Sequence, residues 1–580
     1  MKASDYIISF LKSKGVTHIF SLSGWMITHL EDAIFRDPDL TLVSVKHEQA
    51  WAFAAEGYTR VSGVTAVALA TSGPGATNLI TGIASAYFDS VPVLYITWQV
   101  RTDEITPDDV RVRQTGFQET KIVPIVAPIT KYAKHITQID ELRYELEKAY
   151  DIMHSGRKWP VLLDISMDIQ QREISPDELP GFLSVESSIL QTPELWQIDT
   201  IVSLLRHAER PMLLVWGGVR IAGASDILAE FLSHTHLPVV SSLMGIDAVP
   251  QSYPGYIGMI GSYGVRHANI LLSHADVVLV IGSRLDLRQT GAIKSEFAKH
   301  AKIIHIDIDK NELWYTIEHT YIKCHMDIVS FLETLLQRDE KYPDYPSWYD
   351  TIDELQKLLP TYSTESLYGY IHPNFFFSRL SELFSWSTVY VNDVGQNQMW
   401  ASQSLEIQPW QRLLNSGWLG AMGFSLPVSI GAASVPWVER VISIHGDGGF
   451  QMNIQELETI VSRWLPIGIF VLNNKSLGMV REFQDNYFNG RNIGTVIGYS
   501  CPDLSRIAWA YGLPYFRIAE RADMEWVFAQ IRGLPTPYIV EVLISDKAIV
   551  EPKMMYGSPM DRQSPPLSDA LQSQIDSLFL

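Results

Sequence analysis

Two cysteines, Cys324 and Cys501, are all that 580 residues contain. That excludes a disulfide framework and a cysteine-rich metal site, and it points to a reducing compartment, so the expected location is cytoplasmic. Basic charge is also short: 45 Lys and Arg face 65 Asp and Glu, for a net charge of −20. A phosphate-neutralising face needs a basic excess, so nucleic acid is excluded as a partner. An anionic small molecule needs only a local positive site and is not excluded. No apolar run is uniform enough to span a bilayer. Val64–Phe88 and Ser416–Val438 carry no charge, but glycine, proline and hydroxyl residues break both. They read as buried loops and helices around a site, and no membrane partner is expected. The N-terminal MKASDYIISFLKSKG is a short amphipathic helix without the cleavage pattern of a signal peptide. Sequence repeats and low-complexity tracts are missing too.

What is present is 46% hydrophobic residues, 11% of the chain being aromatic. At this length that means several cores. Short apolar runs alternate with helical patterns in three blocks. The first holds TAVALAT and PVLYIT, the second PMLLVW, DVVLVIG and KIIHIDID, the third TVYVND, RVISIHGD, IGIFVLN and PYIVEVLI. Polar, proline-bearing stretches separate them, EISPDELPGFLSVESSILQTPELW and one containing RDEKYPDYPSWYD. The economical fold class is α/β: three doubly wound parallel-sheet domains at 1–180, 190–340 and 365–552, with a tail at 553–580.

The chemistry starts at GDGGFQMNIQELETIVSRWLPIGIFVLNN, residues 446–474. A strand, Arg440–His445, ends at Gly446-Asp447-Gly448. A helix is expected over about Asn453–Trp464, then a strand, Ile467–Leu472, then Asn473-Asn474. Such a βαβ unit puts Asp447 and Asn474 at one carboxyl sheet edge. A carboxylate, a carboxamide and a backbone carbonyl are oxygen ligands for Mg²⁺ or Ca²⁺, and not for zinc. Glycines let the backbone approach a phosphate. GDG alone is an ordinary strand-end turn; GDG and NN at the two ends of one unit predict a metal-bridged diphosphate.

GDG followed by NN resembles the thiamine-diphosphate motif, and nearly the whole chain resembles the acetohydroxyacid (acetolactate) synthase-like group of thiamine-diphosphate enzymes. The resemblance implies pyrimidine-binding, central dinucleotide-binding-like and diphosphate-binding domains in that order. It implies Mg²⁺ held by Asp447, Asn474 and the Ser476 carbonyl. It places Gly446, Gly448, Gly449, Leu477, Gly478 and Met479 around the diphosphate. DVGQNQMWASQ adds Gly395, Gln396 and Asn397, and GAMGFSLP adds Gly420 and Met422, the latter as the apolar wedge between the coenzyme rings. Glu48, in HEQAWAFAAEGYTR, matches the carboxyl that hydrogen-bonds the pyrimidine nitrogen; on local sequence it is only a helix-starting glutamate. ATSGPGATN supplies Pro74 and Asn78 beneath the substrate, and FQE supplies Gln118 to contact it. Glu48 and Asp447 of one site come from different subunits in this family, so a homodimer or homotetramer with interfacial sites is implied.

GMIGSYGVRHAN and GSRLDLRQTG resemble FAD-holding segments of the central domain, and HIDIDK supplies Asp307 and Asp309 at a strand end where a ribose hydroxyl or adenine could be read. With Gly217 and Gly218 after the strand PMLLVW, the residues expected to hold a structural flavin are Gly217, Gly218, Gly261, Arg266, Arg284, Asp286, Arg288, Asp307 and Asp309. A domain of the same ancestry that is empty or holds ADP is the alternative. Departures from the family carry the substrate information, Leu287 in GSRLDLRQTG and Met167 in LLDISMDIQ among them. In SLSGWM, Gly24 is followed by Trp25 where the family has a second glycine; the indole either reshapes the cavity or packs in the core. Phe483 stands where acetohydroxyacid synthases carry a tryptophan. There is no His-His pair of the pyruvate decarboxylase kind. The segment 113–171 looks most like a yersiniose-type branched-sugar subgroup. The expected activity is a carboligase that decarboxylates pyruvate or a similar 2-keto acid and adds the two-carbon unit to a ketone acceptor, such as a nucleotide-linked keto-sugar. The alternatives are acetolactate synthase, a cyclic 1,2-dione hydrolase, a flavin-dependent pyruvate oxidase, and a non-catalytic cofactor-binding subunit.

Overall fold

The computed structural model describes residues 1–184, 194–315, 317–338, 340–384 and 387–580. Residues 185–193, which belong to the first expected linker, lie outside the described residues. The apolar runs become three parallel six-stranded sheets with helices on both faces. The first contains β1 (His18–Ser21), β2 (Thr41–Ser44), β3 (Val67–Ala70), β4 (Leu94–Gln99), β5 (Tyr132–Ile136) and β6 (Val161–Ser166), in the order β2-β1-β3-β4-β6-β5. The central sheet contains β7 (Pro211–Val215), β8 (Val239–Ser241), β9 (Tyr256–Met259), β10 (Val277–Ile281), β11 (Lys302–Asp307) and β12 (Ile322–His325), in the order β12-β11-β10-β7-β8-β9. A small hairpin, β13 (Ser366–Leu367) and β14 (Tyr370–Ile371), leads into the third sheet. That sheet contains β15 (Thr388–Asn392), β16 (Arg412–Leu414), β17 (Arg440–Gly446), β18 (Ile467–Asn473), β19 (Tyr515–Ile518) and β20 (Tyr538–Leu543), in the order β16-β15-β17-β18-β20-β19. Strands such as β4, β6, β7, β10, β15 and β18 are buried along their whole length, because helices cover both faces of a parallel sheet.

The first and third sheets share one strand order, although no repeat is visible in the sequence. One hydrophobic core joins them, running from Phe20 and Trp51 to Phe424 and Ile539. At its centre the helices Glu48–Ser62 and Ser425–Ala433 touch backbone to backbone. Each of these helices follows the corresponding second strand of its sheet, β2 or β16. The central sheet has its own core, to which the C-terminal tail contributes Met560 and Ile575. The tail forms the hairpin β21 (Lys553–Met554) and β22 (Gln563–Ser564) and the helix Asp569–Ser577, and Phe579 stacks on His274 at 3.8 Å.

One local expectation is corrected. The segment after β17 is not a turn followed by one helix over Asn453–Trp464. A helix begins at Asp447 itself and ends at Met452; Asn453 breaks it (φ −131°, ψ 30°), and a second short helix covers Leu457–Ser462. The break is held by the Asn453 side chain, which donates to the Gly423 carbonyl at 2.7 Å.

Candidate active site

In a doubly wound sheet, ligands bind where the chain leaves two neighbouring strands in opposite directions. In the third sheet that point lies between β15 and β17. The loops leaving β15, β17 and β18 carry Gly395, Gln396 and Asn397, then Gly446 to Gly449, then Asn474 and Ser476 to Met479. Together with Met422 they line one cavity of about 90 Å³. Of the residues expected around the diphosphate, Gly420 alone is not on its wall; it makes a left-handed turn (φ 64°) just before Met422.

Asp447 is 1% exposed. Its carboxylate accepts from the Tyr499 hydroxyl at 2.8 Å, and the amides of Asn474 and Gly448 also reach it. Burial still pushes it up to about 6. Asn474 accepts from the Ser476 amide at 3.1 Å and donates to Gln396 at 3.1 Å. Lys475, between them, is left-handed at φ 55°, a costly conformation for a lysine. Among the described residues no group of three or more His, Cys, Asp and Glu side chains is placed to hold a metal ion by itself. The donors here are one carboxylate, one carboxamide and backbone carbonyls, which is the set a hard divalent ion takes when phosphate and water complete its shell.

Asp393, at the end of β15, was not singled out from the sequence. It organises this cavity: its carboxylate accepts the amides of Val394 at 2.7 Å, Gly423 at 2.9 Å and Ser425 at 3.2 Å. The strand-end rule that flagged Asp447 applies equally to Asp393 in TVYVND.

The first sheet reverses between β1 and β3. There the loop bearing Gly24 lies on Thr71, so closely that a Cβ on Gly24 would sit 2.6 Å from the Thr71 Cβ. Gln118 lies against Gly73 and is left-handed itself (φ 65°). Pro74 opens the short helix Pro74–Asn78, and Asn78 donates to the Glu48 carboxylate at 2.9 Å. Glu48 is the first residue of its helix, capped by His47, whose ring nitrogen accepts from the Gln49 amide at 3.2 Å. Its carboxylate is half-buried in the single chain, where an enclosed one was expected. The strand end before it is tied to the third domain, since the Lys46 amide donates to Glu456 at 3.0 Å.

Gly24 thus meets Thr71, Gln118 meets Gly73 just before Pro74, and Asn78 meets Glu48, but no residue of the first domain lines the cavity around Asp447. Trp25 is 77% exposed, which removes core packing within this chain as an account of it. Phe483 is 54% exposed on the helix Gly478–Tyr487, 4.6 Å from Tyr487.

The central sheet reverses between β7 and β10. Gly218, Arg284 and Asp307 line a cavity of about 250 Å³ there. Burial pushes Asp307 up to about 7. Asp286 and Arg288 line a separate space, and Gly217 a third. Gly261 backs onto the Arg288 carbonyl, and Asp309 pairs with Arg157 at 3.2 Å. Arg266 donates to the tail carbonyls of Gln563 and Pro565. The nine residues expected to hold one flavin are thus spread over several places. Arg157 and Lys158, which line the larger cavity, and Trp418, which lines the space beside Asp286 and Arg288, were not identified from the sequence.

Comparison with known proteins gives the same order of parts. Residues 1–125 match the thiamine pyrophosphate enzyme N-terminal TPP binding domain, 198–335 the central domain, and 393–542 the C-terminal TPP binding domain. The chain is a member of the thiamine-pyrophosphate enzyme family. Within it, the chain is acetolactate synthase-like. It is 35% identical over 572 residues to acetolactate synthase 1, chloroplastic, of Nicotiana tabacum, covering 96% of this chain and 84% of that one. It is 34% identical over 564 residues to the acetolactate synthase isozyme 2 large subunit of Escherichia coli (strain K12), covering 96% and 98%. It is a carbon–carbon bond-forming enzyme whose coenzyme is thiamine diphosphate. No helix among the described residues is long and apolar enough to cross a membrane.

Proposed function

We propose that the chain decarboxylates pyruvate and joins the two-carbon unit to a second pyruvate, giving acetolactate. The observation that carries this reading is identity of about a third with acetolactate synthases across 96% of the chain. One carbon–carbon bond breaks with loss of CO₂, one forms, and there is no net redox change. Thiamine diphosphate, when bound, supplies the carbon nucleophile and the electron sink.

The residues present fit that group. Asp447, Asn474 and the Ser476 carbonyl would hold Mg²⁺, which neutralises the diphosphate. The glycine-bearing loops leave room for phosphate oxygens, and Met422 presents an apolar surface at the cavity wall. Glu48 would hold a proton at the pyrimidine nitrogen, with Asn78 fixing the carboxyl through its second oxygen. Gln118, Gly24 and Trp25 would face the reacting carbons, as would Phe483. Glu48 and the diphosphate cavity do not meet within one chain, which supports a homodimer or larger assembly in which a second copy completes each site.

A second reading keeps the donor and enlarges the acceptor to a bulkier ketone, including a nucleotide-linked keto-sugar. The departures at the substrate end favour it: Trp25 stands where the family has a glycine, and Phe483 where acetohydroxyacid synthases carry a tryptophan. NMR of the protein with Mg²⁺, thiamine diphosphate and pyruvate alone separates the two. Accumulating acetolactate supports the first. Slow pyruvate loss with traces of acetoin rejects the first and favours the second.

A further inference from the structure

Gln118 is held in a conformation that a glutamine does not choose for itself. Its backbone is left-handed (φ 65°). It lies back to back with Gly73, also left-handed (φ 62°), so closely that a Cβ on Gly73 would sit 2.8 Å from the Gln118 Cβ. Among the described residues the Gln118 carboxamide has no hydrogen-bond partner. A strained residue persists only where its surroundings over-determine its position.

The two residues after Gln118 do this. Glu119 is buried. One of its carboxylate oxygens accepts from the Thr106 amide at 2.8 Å. The other accepts from the Thr106 hydroxyl at 2.6 Å, the Thr115 amide at 2.8 Å and the Gly116 amide at 3.4 Å. Burial works against ionisation, but these bonds outweigh it and hold the carboxyl below its usual range. One side chain thus cinches both ends of the loop 106–116 where it runs into Gln118. Thr120 is pinned separately. The buried Gln99, the last residue of β4, donates to the Thr120 carbonyl at 2.6 Å and to Asp164 of β6 at 3.2 Å. The chain leaving Gln118 is therefore tied to the loop by Glu119 and to the sheet by Gln99.

We infer that Glu119 is a positioning residue for the reaction: it fixes the left-handed Gln118 against Gly73, so that the free carboxamide meets the substrate in one geometry. The inference rests on the reading of Gln118 as a substrate contact. Glu119 acts through Gln118 alone; it is not on the wall of the cavity around Asp447, so coenzyme binding does not depend on it.

The test is a double-mutant cycle on the full-length protein loaded with thiamine diphosphate and Mg²⁺, read as kcat/KM for pyruvate from CO₂ release. That quantity covers the steps up to loss of CO₂, so it does not depend on which ketone is the acceptor. Glu119→Gln keeps the size of the side chain but sets an N–H₂ donor against amide donors. A misplacement of about 1 Å costs up to about 100-fold, so kcat/KM is expected to fall about 10- to 100-fold. Gln118→Ala is expected to lose at least as much. In the Gln118→Ala background Glu119→Gln is expected to cost nothing further, because its route to the substrate is gone. A fluorescence titration with thiamine diphosphate is expected to give wild-type affinity in each variant. If Glu119→Gln does not fold, Thr106→Val, which deletes one donor to the same carboxylate, carries the same cycle with a smaller loss. Additive losses overturn the proposal, as do wild-type kcat/KM or weakened coenzyme binding in Glu119→Gln. Wild-type kcat/KM in Gln118→Ala instead removes Gln118 from the substrate, and with it the reading on which the proposal rests.

Discussion

The His445 ring nitrogen Nδ1 lies 3.3 Å from the Asp393 carboxylate, and both side chains are wholly buried. The other ring nitrogen is 2.8 Å from the Ser443 hydroxyl, which also meets Ser425 and Ser429 at 2.9 Å. A buried polar chain of this kind is stable only when its members are paired. It ends at Asp393, beside Val394, which lines the same cavity as Asp447 and Asn474. Asp393→Ala strips three backbone amides of their acceptor at once. Each orphaned donor costs about 1–3 kcal/mol, so a loss of at least about 3 kcal/mol is expected. Urea denaturation measures it, and a fluorescence titration with thiamine diphosphate should show weaker binding alongside.

Glu48→Gln keeps the size of the side chain and an oxygen to accept from Asn78. Coenzyme binding is therefore expected to persist while turnover falls by about a hundredfold or more, the usual worth of a positioned proton-holding group. Steady-state rates at saturating coenzyme check this; wild-type turnover in the variant removes Glu48 from the mechanism.

Gly478 admits no side chain. A Cβ there would sit 1.8 Å from the Gln396 carboxamide oxygen and 2.9 Å from Asn474 Nδ2. Gly478→Ala must push apart the pair that orients Asn474. Mg²⁺ affinity is expected to drop about 10- to 100-fold, as when the groups that orient a metal ligand are disturbed. Metal-dependent activation curves at fixed coenzyme give the number.

Burial pushes Glu456, which anchors the Lys46 amide, up to about 7 from 4.5. The folded chain thus holds this proton more tightly than the unfolded chain. Its ionisation subtracts stability as pH rises from 4.5 through 7, and subtracts nothing below 4.5. Glu456→Gln keeps an acceptor and removes the ionisation. The melting temperature of the variant relative to wild type should rise between about pH 5 and about pH 8; a constant difference across that range contradicts the assignment.

Trp25→Gly should leave stability within about 0.5 kcal/mol, because an exposed side chain is lost, yet broaden the choice of ketone. Relative rates across a series of small and large acceptors test this. An unchanged pattern separates Trp25 from acceptor selection.

Much of this was legible in the sequence because parallel strands buried on both faces announce themselves as apolar runs. Asp447 and Asn474 were legible because a βαβ unit fixes which end of the sheet they share. The helix at Asp447 was missed because GDGG reads as a turn, and glycines give no apolar period to betray a helical start. Asp393 was missed because two of the amides it accepts, those of Gly423 and Ser425, lie 30 and 32 residues away, and His445 because it faces Asp393 from the neighbouring strand; no local pattern records either. The spread of Arg266, Arg284 and Arg288 was also invisible. Spacing along a loop does not say that one arginine will be taken by the tail and another by the Trp418 indole ring.

The tail has a practical side. Lys553 pairs with Glu482, the neighbour of Phe483, while Phe579 is docked on His274 and Trp348. Between those anchors the hairpin loop exposes Tyr556 to 91%. A protease that nicks this loop would leave the terminal helix bound by its own contacts, so gel filtration would report an intact particle. The strap between the Phe483 helix and the central domain would nonetheless be cut. Preparations of this enzyme are therefore better judged by denaturing mass spectrometry than by elution volume.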